Sequence, residues 1–179
     1  NRGVVSDSIG GIAILEGSGG TVAISGTGSA WNNVNELQVA DGGHATLDIL
    51  DGGAATTSLG YIAVSAAGVG EVTVSGIGSR WTSSSQLQVG WIGVLAGGTG
   101  SVTVSGADST WSNANDLQVG YDGSGMLNVN SGATVTSGSG ILGTNADGRG
   151  TATVSGSGST WTNFGTLQVG SGGAGTLRI

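Results

Sequence analysis

Asp41, His44, Asp48 and Asp51 bring three carboxylates and the chain's single imidazole into one short stretch. Such groups can serve as general acid and base, or hold a ligand, when they converge on one outer face. They form the alternative, weaker candidate site, for binding or cleaving a glycan. The competing reading is a solvated corner with a lone loop histidine, because the corresponding later stretch offers Asp122, Asn128 and Ser131 and the acids make no ladder. No nucleophile elbow, phosphate loop or zinc spacing accompanies them. Asp122-Gly123 and Asp147-Gly148 do not recur at the nine-residue interval of a calcium β-roll. The chain therefore reads as a non-enzyme, with no cofactor and no metal site expected.

Charge narrows the partners. Eleven acidic residues face four arginines and no lysine, a net charge of −7 that repels phosphate backbones and anionic headgroups. Nucleic acid is not an expected partner. No apolar run reaches the length of a membrane span, and the segment from Asn1 to Gly10 lacks the order of a signal peptide. With no cysteine, neither disulfides nor thiolate zinc can contribute to stability, which must come from packing and backbone pairing.

The elements that would position these groups are read from a repeat. Tryptophans recur unevenly at Trp31, Trp81, Trp111 and Trp161, but the apolar pairs Val22/Ile24, Leu47/Ile49, Val72/Val74, Val102/Val104, Leu127/Val129, Ala152/Val154 and Leu177/Ile179 keep a steadier interval of about 25 residues. A second series follows the same beat: Ile12/Ile14, Leu37/Val39, Ile62/Val64, Leu87/Val89, Leu117/Val119, Leu142/Thr144 and Leu167/Val169. Each pair has the i, i+2 spacing of a half-buried strand, and glycine-rich corners such as Gly26-Thr27-Gly28-Ser29 punctuate them. At least two short strands per turn are expected, with Asp108 adopting the left-handed backbone of the glycine it replaces. The pattern predicts an all-β fold: a right-handed parallel β-helix (β-solenoid) of about seven turns, with residues 1–179 forming a single segment of a longer array.

Facing follows from Arg80. An arginine with no evident acidic partner is rarely buried, so Arg80 points outward and alternation sends Trp81 inward, with Trp31, Trp111 and Trp161 in the same register. Small residues at Ala54 to Thr57 and Thr134 to Thr136 leave room for the rings, while Trp81 and Trp111 fall in adjacent turns and are expected to stack. Outside, Gln38, Gln88, Gln118 and Gln168 suggest an amide ladder whose members pair with each other. Thr73/Ser75 beside Thr103/Ser105 suggest a hydroxyl ladder, but Asp48/Leu50 and Asn128/Asn130 interrupt it, which argues against an ice-binding plane.

One stretch is unrepeated in this reading. The interval from Val89 to Ser101 exceeds that from Val39 to Thr46, so Trp91-Ile92-Gly93-Val94-Leu95-Ala96 is expected to be an apolar insertion. Trp91, Ile92, Val94 and Leu95 then form the candidate interaction surface, against the alternative of a corner folded back on the wall.

The pattern G-x-V-x-V-S-G-x-x-S-x-W, five residues, L-Q-V-G, then G-x-L-x-I-x-x-G, as in Gly125-Met126-Leu127-Asn128-Val129-Asn130-Ser131-Gly132, resembles the repeat associated with type V secretion autotransporters and PEP-CTERM proteins, over nearly the whole chain. That resemblance implies a passenger-domain β-helix exported through a bacterial outer membrane. Its implied location is extracellular or on the outer cell surface, and its implied role is adhesive or self-associating. The partners it implies are other copies of the chain, surface molecules of a host or neighbouring cell, or glycans. The chain's ends, read as cuts through a longer array, are expected to associate end to end and to fray first.

Overall fold

Short runs of branched apolar residues alternating with serine, threonine and asparagine favour extended backbone, and the computed structural model, which describes residues 2–84 and 90–179, has strands and no helix among them. Every strand pairing is parallel, and successive partners lie one turn apart in sequence. The chain is a parallel β-solenoid of about seven turns with about 25 residues per turn.

Three walls run along it, one more than the two-strand minimum read from sequence. The first is a seven-stranded sheet of Gly19–Ser25, His44–Leu50, Val69–Ser75, Thr99–Ser105, Ser124–Asn130, Arg149–Ser155 and Ala174–Arg178. The second holds the tryptophans: it starts in Ala30–Val39 and continues through Ala54–Thr57, Arg80–Ser83, Thr110–Asn113, Thr134–Ser137 and Thr160–Asn163. The third takes the end of Ala30–Val39, then Leu59–Ile62, Gly90–Ile92, Leu117–Val119, Gly140–Leu142 and Leu167–Val169. Strand Val4–Ile12 lies against Ala30–Val39 across both of these walls.

On the first wall the expected register holds. Leu47, Val72, Val102, Leu127 and Ala152 stand in one column of Cα partners and are buried, while Asp48, Thr73, Thr103, Asn128 and Thr153 form the outward column beside it. Asp108 has φ 62°, the left-handed backbone expected of it.

On the third wall the expected register is corrected. Ile12 pairs with Val39 rather than Leu37, and Ile62 likewise pairs with Val39, so Gly10 and Gly60 are the residues opposite Leu37. Gly140 and Leu142, not Leu142 and Thr144, stand opposite Leu117 and Val119. In the turn after Trp81, Gly90 and Ile92 take these places; Leu87, Gln88 and Val89, which were expected there, lie outside the described residues. The slip is two residues at Ile12, Ile62 and Leu142, so core and surface faces survive it there, and three residues, from Leu87 to Gly90, in the turn after Trp81. Its cause is the tryptophan column. That column reads Val5, Trp31, Ala55, Trp81, Trp111, Val135 and Trp161, and the rings overhang the glycines of the turn before. A Cβ on Gly10 would lie 2.6 Å from Trp31 Cζ2, and one on Gly140 would lie 2.7 Å from Trp161 Cζ2. Two layouts therefore alternate, a tryptophan turn with leucine on its third wall and a small-residue turn with glycine there. The turn from Arg80 combines them, with Trp81 on the second wall and Gly90 on the third.

Trp81 and Trp111 are fully buried and stack with centroids 4.9 Å apart and planes 6° apart, as expected of adjacent turns. Trp31 and Trp161 are partly buried against the same core.

Candidate interaction surface

The corrected register removes the insertion from Trp91 to Ala96. Gly90-Trp91-Ile92-Gly93-Val94 is the counterpart of Gly60-Tyr61-Ile62-Ala63-Val64: Ile92 pairs with Ile62, and the backbone N–H groups of Val94 and Leu95 donate to Ala63 O and Val64 O. The extra length of this turn falls between Ser84 and Gly90, outside the described residues. Ile92 is 0 % and Val94 5 % exposed, so these two candidate contact residues belong to the wall's interior. Leu95 is 49 % exposed on the following corner, and Trp91 lies half-buried on the outer side, its Nε1 shielded and without a partner among the described residues.

Around Trp91 the structure assembles a cluster that the linear reading missed. Tyr61, its register partner one turn earlier, meets it edge to face at 5.6 Å and 67°. Tyr121, on the corner after Leu117–Val119, stacks on it at 4.6 Å and 10°. These three rings span three turns of the third wall's outer side. Every aromatic side chain outside the tryptophan column, apart from Phe164, is in this cluster. The signal was available: Tyr61 and Trp91 occupy the same place in the G-[Y/W]-I repeat.

Polar groups flank the rings. The outward column runs Gln38, Tyr61, Trp91, Gln118, Ile141 and Gln168. The described glutamines are thus not neighbours, which corrects the expected amide-to-amide ladder. Gln38 Nε2 donates to Glu36 Oε1, Gln118 Oε1 accepts from Thr144 Oγ1 at 3.2 Å, and Gln168 Oε1 accepts from Ser171 Oγ at 2.7 Å. Gln88 lies outside the described residues. Burial pushes the Tyr61 phenol above its ordinary pKa, and the Glu36 carboxylate pushes it further the same way.

The acidic stretch does not come together in the same manner. His44 and Asp48 both lie on the outer side of His44–Leu50, four residues apart along an extended strand, which is about 13 Å. Asp41 lies on the corner before that strand, where it accepts from Ser65 Oγ at 2.5 Å, and Asp51 lies on the corner after it with φ 51°. The four groups are therefore strung along a strand and the two corners that flank it. His44 instead lines a shallow groove with Thr21, Thr46, Val69 and Glu71, a grouping across three turns that sequence proximity hid. Among the described residues no three His, Cys, Asp or Glu side chains come close enough to hold a metal ion.

Fold and surface together define a parallel β-solenoid with one outward aromatic cluster. No family model, curated protein or solved structure matches the chain.

Proposed function

We propose that the chain is a non-enzymatic shaft of an autotransporter-like bacterial surface or secreted protein, and that it acts by adhesion or self-association through the Tyr61–Trp91–Tyr121 cluster. The outward position of these rings carries the proposal. A solenoid needs its large apolar side chains inside, and the four repeat tryptophans serve that need; three further rings, each half-buried on the outer side, lie apart from the core cluster and present their remaining faces for contact. The parallel stack beneath holds them at fixed spacing.

The test is association of the displayed chain. Beads or cells coated with the unaltered protein are expected to aggregate, or to capture cells carrying a partner, and Trp91→Ala is expected to reduce this several-fold. Equal behaviour of the two proteins would defeat the assignment of the contact to this cluster.

A carbohydrate ligand is the second reading, and the company of the rings favours it. Amides of Gln38 and Gln118 and the carboxylate of Glu36 beside flat rings match the hydroxyls and C–H faces of a neutral sugar. Retardation of the protein in gels containing neutral polysaccharides, lost in Trp91→Ala, would select it. Cleavage of the same polysaccharides, abolished by Asp48→Ala, would select the enzymatic alternative instead.

A further inference from the structure

Inside the second wall, each turn places one polar residue two positions after the tryptophan column: Asp7, Asn33, Thr57, Ser83, Asn113, Ser137 and Asn163. These residues serve the indole N–H groups by a consistent rule. Trp161 Nε1 donates to Ser137 Oγ at 3.1 Å, and Ser137 Oγ donates onward to Asn163 Oδ1 at 2.7 Å. Trp31 Nε1 donates to Asp7 Oδ2 at 2.7 Å. In both cases the acceptor stands two residues beyond the ring's register partner in the preceding turn, Val135 for Trp161 and Val5 for Trp31.

By that rule Trp111 should donate to Ser83, because its register partner is Trp81. It does not. Trp111 Nε1, Ser83 Oγ and Trp81 Nε1 are all buried and none has a partner among the described residues. Trp81 has the rule's counterpart in Thr57, whose hydroxyl donates to Leu59 O at 2.6 Å. The difference between the two places is the neighbour. Val135 precedes Trp161, whereas a second indole precedes Trp111 and stacks on it face to face. Val135 leaves Trp161 within reach of Ser137, whereas in the stacked pair neither Trp111 nor Trp81, although Ala55 precedes the latter, donates to its counterpart hydroxyl.

Two indole donors and one hydroxyl, buried without partners among the described residues on adjacent register-paired turns, match the polar lining that holds a buried water, which needs two to four such groups. The alternative, three desolvated polar atoms with no bonds, is a costly arrangement that native interiors seldom retain. We propose that a single ordered water is bound between Trp81 and Trp111, accepting from both Nε1–H groups and donating to Ser83 Oγ. It extends the Trp161–Ser137 type of relay by one molecule in the one place where two tryptophan turns meet.

Protein with 15N-labelled tryptophan tests this through rotating-frame Overhauser contacts between the indole N–H and water. Both side chains are fully buried, so surface solvent cannot supply the signal. Cross-peaks to water are expected from Trp81 and Trp111. They are expected to persist in Ser83→Ala, where the Ser83 hydroxyl can no longer relay them by exchange. Their absence from the unaltered protein, or their loss in Ser83→Ala, would overturn the proposal. A crystal structure of the unaltered chain decides the matter without a variant: density within hydrogen-bond reach of both Nε1 atoms supports the water, and a dry gap overturns it.

Discussion

Gly60 lies under the ring of Trp81, so close that a Cβ built on it would stand 2.9 Å from Trp81 Cζ2. The glycine belongs to one turn and the ring to the next, and the third wall's register depends on the pair. Gly60→Ala is expected to destabilise the fold by about 1–3 kcal/mol, the usual cost of forcing a methyl into a filled core. Chemical denaturation would measure it. An alanine variant as stable as the parent would mean that the ring does not fix the glycine.

The Trp81–Trp111 stack should behave as one unit. Trp111→Ala is expected to cost about 3–5 kcal/mol through the cavity it opens. The coupling between Trp81→Phe and Trp111→Phe in a double-mutant cycle should be about 0.5–1.5 kcal/mol. Tryptophan emission from the unaltered chain should be blue-shifted by the buried rings. Strictly additive losses would show that the rings share a column without interacting.

Tyr61 predicts a pH effect of definite sign. Its phenol is raised in the folded chain, first by burial and then by Glu36, so folding favours the neutral form. The associated stability is fully present below the unfolded phenol's pKa of about 10 and is lost as pH climbs through the higher folded value. Ultraviolet titration should show one tyrosine ionising above the ordinary range. Glu36→Gln should lower that transition without restoring the ordinary value, since burial remains. A transition unmoved in Glu36→Gln would remove the carboxylate as a cause.

Trp91→Ala should separate folding from contact. Its ring packs on the outer side of a wall against Tyr61 and Tyr121, so thermal unfolding is expected to change by about 1 kcal/mol or less beyond the lost aromatic contacts. Association in the bead or cell assay should fall several-fold. Collapse of the fold would instead assign the ring a structural duty.

How far the sequence could be read differs between the walls. The first wall was legible because its valine and leucine pairs face a uniform neighbour in every turn, as Leu47, Val72 and Val102 show. The third wall misled because its pattern answers to a ring attached elsewhere. Counting apolar residues aligns Ile62 with Leu37, and only the space claimed by Trp81 explains why glycine sits there. Aligning Leu87 rather than Gly90 with Leu117, three residues off, turned Trp91 to Ala96 into an apparent insertion, and the aromatic cluster stayed hidden because Tyr61, Trp91 and Tyr121 are remote in sequence and meet only through the coil. The acidic stretch shows the opposite relation: Asp41, His44, Asp48 and Asp51 are near in sequence, but an extended strand separates what a helix would gather, as the solvated-corner reading expects.

The turn that joins Trp81 to Gly90 is, in crystallographic language, a stacking fault. On either side the two kinds of layer alternate in strict order, and at this layer the second wall repeats the bulky member while the third repeats the small one. A fault of this kind fixes phase. Layers can be added or removed in pairs on either side and every ring still meets its glycine, whereas a single added layer would set bulky against bulky on one wall. Rods of this design should therefore grow by two layers at a time, with each odd step recorded as one more fault.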